Sequence, residues 1–221
     1  MTFLYLADIS NVKINKIECL KNYISSYRYE KVSRYSNYKN KALSLASEVL
    51  LNYAITKQYP EIQIPVSYKK NNYGKPYFEN NNIFFNISHS GNYAVCALSN
   101  QEIGIDIEKI RDINATGLSR KVFSDLEKKY FECSKNPIDD FFRIWTLKES
   151  YMKARGLGFK IGLKNFTIQI DKYIKVYEHG YKESYSFLEP QPPKGYKMAI
   201  CQYGTIDSYK MEYVDINELL L

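Results

Sequence analysis

Phe84 to Glu108, FFNISHSGNYAVCALSNQEIGIDIE, is the stretch around which the rest of the chain can be arranged. It reads as a short strand over Ile83 to Ile87, a polar turn at Ser88-His89-Ser90-Gly91, a strand over Tyr93 to Leu98 and another over Ile103 to Glu108, together a meander. Asp106 and Glu108 are two apart, so in an extended chain both project to one face while Ile105 and Ile107 project to the other. Two acids leaving one face of a buried strand repel each other and lose water, and a cation between them relieves both costs. Mg²⁺ suits the place because it takes oxygen ligands and needs few of them from protein. On the triplet alone, a strand end with two solvated acids is the better reading; the rest of the chain reverses it. The SHSG turn is either a nest of donors aimed at an anion or a tight turn capped by its own side chains.

Upstream, Asn71 to Tyr77, NNYGKPY, is a turn in which Gly74 permits unusual backbone angles and Pro76 stiffens the chain beyond it, holding Lys75 on a rigid loop. Leu43, Ala46, Val49, Leu50, Tyr53 and Ile55 recur at helical spacing from Lys39 to Gln58, and Pro60 closes that helix. A helix around Ile17 to Tyr27 is expected, with Arg28, Lys31 and Arg34 beside it, and Thr2 to Ile9 reads as the first strand.

Downstream of Arg111 the pattern turns helical, and Ser124 with Glu127 fits a capping box that opens a helix through Tyr130. The clearest helix comes next. Asn136 is its N-cap, Pro137 suits its first position, Asp139 and Asp140 complement its dipole, and Gly156 stops it. On it Glu149 and Lys153 are four apart and are expected to pair, with Trp145 buried one turn earlier. Segments 166–170, 174–177, 185–188 and 196–202 read as strands. Gly91 to Ala97 is echoed by Gly195 to Cys201, each an apolar strand with a cysteine, and each following a long helix. The fold class expected is therefore α+β, two similar α+β halves packed as a pseudo-twofold dimer within one chain. The division falls at 1–104 and 105–221, with the tail packing back on the first half and the acid pair near the junction.

Composition narrows the function. With 221 residues the chain can bury a sizeable core, and 31 Lys and Arg against 24 Asp and Glu give a net charge of +7, favouring acidic or phosphorylated partners. The cations are scattered rather than interleaved with aromatics, which argues against nucleic acid. No stretch approaches the roughly 20 apolar residues of a membrane span, and the first residues lack the basic start of a secretory signal. Cys19, Cys96, Cys133 and Cys201 form no CxxC pair, and only His89 and His179 could join them, so zinc is not expected. A reduced, cytoplasmic monomer is the expectation.

NISHSG at 86–91, IGIDIE at 103–108, FS..E at 123–127 and W.LKE...K at 145–153, with GKP at 74–76, resemble in order and spacing the motifs of 4′-phosphopantetheinyl transferases of the longer, monomeric surfactin-synthetase-activating type. The resemblance covers most of the chain. It implies transfer of the phosphopantetheine arm of coenzyme A to a serine of an acidic apo carrier protein, releasing adenosine 3′,5′-bisphosphate. By position it makes Asp106, Glu108 and Glu149 ligands of Mg²⁺, with Mn²⁺ the alternative. Lys153 would contact phosphate, Ser88 and His89 the phosphates of the coenzyme, Lys75 and Pro76 its nucleotide end, and Arg28 and Lys31 its 3′-phosphate. Glu149 is the general base chosen, with Lys153 and Asp106 as its catalytic companions, and Arg111 through Tyr130 is where the family docks the carrier. One position departs: where the family has an arginine near the start of the helix at 39–58 this chain has Leu43, leaving Lys39 or Lys41 to substitute. A synthase restricted to fatty-acid carriers and a non-catalytic module binding coenzyme A or the carrier are the alternative readings.

Overall fold

A computed structural model describes residues 1–12, 23–79 and 82–220. Two sheets and two long helices make the framework. The first sheet is built from β1 (Thr2–Asp8), β4 (Phe84–Ser90), β5 (Tyr93–Ser99) and β12 (Tyr209–Val214), in the order β12-β1-β5-β4. The second is built from β6 (Ile103–Lys109), β10 (Tyr185–Leu188) and β11 (Tyr196–Tyr203), in the order β10-β11-β6. Helices α1 (Ser26–Ser33) and α2 (Tyr38–Gln58) belong to the first unit, and α3 (Ala115–Val122), α4 (Asp125–Glu132) and α5 (Pro137–Arg155) to the second. A hairpin of β2 (Lys69–Lys70) and β3 (Pro76–Tyr77) and a small sheet of β7 (Phe166–Ile170), β8 (Ile174–Glu178) and β9 (Tyr181–Lys182) complete the set.

Strand alternation explains the layering. One face of the first sheet, with Tyr5, Ala7, Ala94, Cys96 and Leu98, packs on the apolar side of α2. Its other face, with Leu4, Leu6, Val95 and Ala97, meets Ile103, Ile105, Ile107, Met198 and Ile200 of the second sheet in a shared core. The far face of that sheet, with Ala199 and Cys201, lies under Leu147, Tyr151 and Ala154 of α5. The echoed segments are β5 and β11, each the central strand of three or more beneath a long helix, so the chain is two similar α+β units set face to face. No helix among the described residues is long and apolar enough to cross a membrane. Among the same residues Cys96, Cys133 and Cys201 are free thiols; Cys19 lies outside them.

Two expectations change, one falls largely outside the described residues, and one strand is additional. The meander breaks after β5, because β6 pairs antiparallel with β11 of the other sheet and not with β5. Its isoleucines bury against the first sheet's face, which a place in that sheet's plane would forbid. Ser88, His89 and Ser90 are not a turn: they lie in β4 opposite Val95, Ala94 and Tyr93, so only Gly91 (φ 61°) and Asn92 turn, and the strand ladder removes the backbone nest. The helix expected over Ile17 to Tyr27 falls largely outside the described residues; within them α1 begins at Ser26, capped by the Ser25 hydroxyl. Strand β12 has no counterpart among the expected strands. It pairs parallel with β1, and Val214 and Ile216 enter the first core.

Gly104 sets the distance between β6 and α5. A Cβ there would stand 2.0 Å from the Ser150 carbonyl oxygen and 2.4 Å from the Ala154 amide nitrogen, both backbone atoms of α5. Gly104→Ala is expected to force the helix off the strand and cost about 3 kcal/mol; urea denaturation showing a loss below about 1 kcal/mol would contradict this packing.

Candidate active site

A cleft of about 410 Å³ opens where the edge of β4 meets the edge of β6. Strand β6 contributes Asp106 and Glu108, β4 contributes Ser88 and His89, and successive turns of α5 contribute Trp145, Glu149 and Lys153. Opposite stand Tyr27, Arg28 and Lys31 of α1, with Tyr68, Lys70, Gly74 and Pro76 at the hairpin. Local sequence accounts for this placement. The two-residue step in DIE puts both acids on the side of β6 away from its isoleucines. The four-residue steps from Trp145 to Glu149 to Lys153 put those three on one side of α5.

Lys153 Nζ lies 2.6 Å from Asp106 Oδ1, 2.8 Å from Ser88 Oγ and 3.1 Å from the Ile105 carbonyl oxygen. The Ser88 hydroxyl donates to the same Asp106 Oδ1 at 2.8 Å. The expected Glu149–Lys153 pair therefore gives way to an ion pair between Lys153 and Asp106. Asp106 is 4 % exposed, and a desolvated carboxylate attracts the ammonium more strongly than the less buried Glu149 does. Trp145 is half-buried rather than buried and forms part of the cleft wall.

The remaining oxygen of Asp106, Oδ2, is buried and has no hydrogen-bond partner. A buried carboxylate oxygen left unpaired is costly and calls for a ligand. Its neighbours carry the same signature: burial and the charge of Asp106 push the Glu108 carboxyl up, and burial with Asp106 pushes Glu149 up to about 7, against the pull of Lys153. Among the described residues no three acidic, histidine or cysteine side chains are grouped closely enough to hold a metal ion as they stand. Asp106, Glu108 and Glu149 nevertheless line one cleft around the orphaned oxygen, and their oxygen-donor chemistry suits a hard cation that also takes ligands from a substrate.

On the basic wall, Arg28 is partly committed. Its Nε lies 2.6 Å from Glu48 Oε2 and it donates to Ser44 Oγ at 3.0 Å, while the Tyr68 hydroxyl donates to the same Glu48 oxygen at 2.8 Å. Sequence reasoning missed Glu48, Tyr68 and Lys70, although Glu48 sits within the helix pattern as an acid on its buried side. His89 stands at the cleft mouth. Crowding around its ring, then the charges of Lys153, Arg28 and Lys31, hold its pKa down at about 4, so it is neutral at pH 7. Leu43 is buried in the first core, and Lys39 donates to Asn92 Oδ1.

Lys75 alone among the expected site residues turns away from the cleft. Its ammonium donates to the Ala154 and Ile103 carbonyls at 2.7 and 3.3 Å, and burial lowers its pKa to about 8. It lines a neighbouring cavity of about 240 Å³ with Met152 and Phe159, whereas Pro76 faces both spaces. Behind the site, Lys148 of α5 is fully buried with its Nζ 2.7 and 2.8 Å from the Glu127 oxygens, a pair the motif spacing did not disclose. Leu118 and Leu126, in the segment from Arg111 to Tyr130, are exposed.

Three carboxylates and a lysine facing a wall of cations, at the seam of two α+β units, equip an enzyme for a phosphorylated substrate. Residues 102–201 match the family model described as the 4′-phosphopantetheinyl transferase superfamily, and residues 13–101 match that described as 4′-phosphopantetheinyl transferase, N-terminal. The 4′-phosphopantetheinyl transferase gsp of Aneurinibacillus migulanus is 31 % identical over 90 % of this chain and 85 % of its own length. The 4′-phosphopantetheinyl transferase Sfp of Bacillus subtilis is 30 % identical over 83 % of this chain and 84 % of its own. The chain belongs to the 4′-phosphopantetheinyl transferase family and is an enzyme of that class.

Proposed function

We propose that this enzyme transfers the 4′-phosphopantetheine group of coenzyme A to a serine of an apo carrier protein of the peptide- or polyketide-synthase type, in a Mg²⁺-dependent reaction that releases adenosine 3′,5′-bisphosphate. The observation that carries the reading is the buried, unpartnered Asp106 Oδ2 beside Glu108, Glu149 and Lys153, opposite cations able to receive phosphates. Asp106, Glu108 and Glu149 would hold the metal, which when bound supplies positive charge to the pyrophosphate.

The carrier's serine oxygen attacks the phosphorus that bears the pantetheine arm. The bond from that phosphorus to the bridging oxygen breaks, and the nucleotide leaves with the electron pair. Glu149 takes the serine proton on a carboxylate oxygen. Lys153, steadied by Ser88 and Asp106, offers its ammonium to the charge that develops on the phosphates. Ser88 and His89 meet the phosphates from β4, His89 as a hydrogen-bond donor. Lys31 and Arg28 receive the 3′-phosphate, Arg28 with its charge partly balanced by Glu48. Residues 1–104 form the nucleotide side and residues 105–221 the side of the metal and the carrier, which docks against Arg111 to Tyr130 with exposed Leu118 and Leu126. The net charge of +7 favours encounter with an acidic carrier in a reduced, cytoplasmic setting, the enzyme acting as a monomer.

The test is intact-protein mass spectrometry of two apo carriers, one from a fatty-acid system and one from a peptide synthetase, incubated with enzyme, coenzyme A and Mg²⁺, with and without chelator. A chelator-sensitive gain of one phosphopantetheine, faster on the peptide-synthetase carrier, is expected. Faster transfer to the fatty-acid carrier would reverse the carrier assignment, and no gain on either would reject the reaction. Lys75 acts by a different route. Because its ammonium ties the hairpin to α5, Lys75→Ala is expected to raise KM for coenzyme A several-fold with little change in kcat; a fall in kcat alone would contradict an anchoring role.

A further inference from the structure

Strands β4 and β6 belong to different sheets, yet their residues meet in ascending order along the seam, Asn86 with Ile105, Ser88 with Asp106 and Ser90 with Glu108. Each has one edge in a backbone ladder, β4 with β5 and β6 with β11. The β6 edge that faces β4 presents its amide and carbonyl groups at Ile103 and Ile105. Side chains meet them: Ile105 N–H donates to Asn86 Oδ1 at 2.9 Å, the Ile105 carbonyl accepts from Lys153, and the Ile103 carbonyl accepts from Lys75.

The alternate residues of β4 continue this pattern as three rungs. Asn86 takes the Ile105 amide, Ser88 donates to Asp106, and Ser90 Oγ donates to Glu108 Oε2 at 2.8 Å while accepting the Lys109 amide at 3.1 Å. Ser90 is thus bound on both sides by β6, once by the carboxylate and once by the backbone next to it. A freely rotating Glu108 would sample several rotamers, and the hydroxyl selects one in which Oε2 is engaged. Asn86 is 5 % exposed and spends its acceptor on a strand edge that would otherwise carry an orphan donor.

We infer that Asn86 and Ser90 are positioning residues that replace the missing ladder between the two units: Asn86 sets the spacing of β4 and β6, and Ser90 aims the Glu108 carboxylate into the cleft. The Ser90 role rests on the metal reading above; the Asn86 role rests on geometry alone. Partners of this kind, one shell behind a metal ligand, typically affect metal affinity by 10- to 100-fold.

The experiment titrates Mn²⁺ into the wild-type protein, Ser90→Ala and Ser90→Thr, reading free Mn²⁺ by electron paramagnetic resonance, and follows amide exchange in wild type and Asn86→Ala. Ser90→Ala is expected to bind Mn²⁺ at least tenfold more weakly with an unchanged unfolding midpoint, and Ser90→Thr, which restores the hydroxyl, to recover most of the loss. Wild-type binding matched by Ser90→Ala would overturn the Ser90 role alone, whereas a wild type that binds no Mn²⁺ would overturn the metal reading and the Ser90 role with it. Asn86→Ala removes the acceptor, and is expected to speed exchange at the Ile105 amide relative to its neighbours in β6. Unchanged exchange there would overturn the Asn86 role.

Discussion

Asp106→Ala is expected to lower kcat/KM by about 10³-fold or more and to make the residual rate indifferent to chelator. The magnitude comes from what the side chain does twice. Its Oδ2 is the buried oxygen without a partner, and its Oδ1 holds both Lys153 and Ser88 in place. On the proposed mechanism, removing it deletes a metal ligand and loosens the ammonium that would meet the phosphates, and losses that act on one transition state compound. The fold should survive, because Lys153 keeps Ser88 and the Ile105 carbonyl and is about a quarter exposed to water. Steady-state transfer to an apo carrier, with circular dichroism as the control for folding, measures the effect. A well-folded Asp106→Ala enzyme within tenfold of wild type would remove the metal assignment.

The largest expected stability effect lies behind the site. Lys148→Met leaves Glu127 ionised in the core with its cation gone, which should cost about 3–5 kcal/mol and lower Tm by roughly 6–20 °C. Both groups are essentially without solvent access, and Lys148 also donates to the Phe166 carbonyl. Burial pushes the Lys148 pKa down while Glu127 pulls it up, so the pair is held by mutual attraction and not by water. Glu127 links three elements: it closes the capping box of α4 through the Ser124 amide, accepts the Ile168 amide of β7 and grips α5. Adding Glu127→Gln to Lys148→Met removes the stranded charge and should recover part of the loss. Thermal unfolding of the two variants decides it; a single variant less than about 1 kcal/mol below wild type would mean the pair is not desolvated.

These residues differ in how legible they are along the chain. Asp106 and Glu108 can be put on one face of a strand from period two alone, but only the motifs elsewhere in the chain turn them from two solvated acids into a candidate cation site. The capping box at Ser124 and the Asn136-Pro137 start of α5 are equally local, being short-range hydrogen bonds and dihedral preferences of neighbouring residues. Lys153 could be placed on the right side of α5, but its partner could not. The i,i+4 rule offered Glu149, whereas the ammonium went to a more deeply buried acid 47 positions away. The partner of Lys148 is hidden for the same reason, since spacing does not show that α4 and β7 will close over that side of α5.

Periodicity and near-neighbour chemistry suffice for most of the elements, for the two-unit α+β plan and for the family motifs, and all of these can be read along the chain. Which strand edges meet is a matter of tertiary packing. Packing moved β6 from the first sheet to the second, kept Ser88, His89 and Ser90 in a strand, and turned Lys75 onto two backbone carbonyls. Those outcomes depend on desolvation and on contacts between residues tens of positions apart, and a buried charge takes the partner that the packing brings within reach, not the one nearest along the chain.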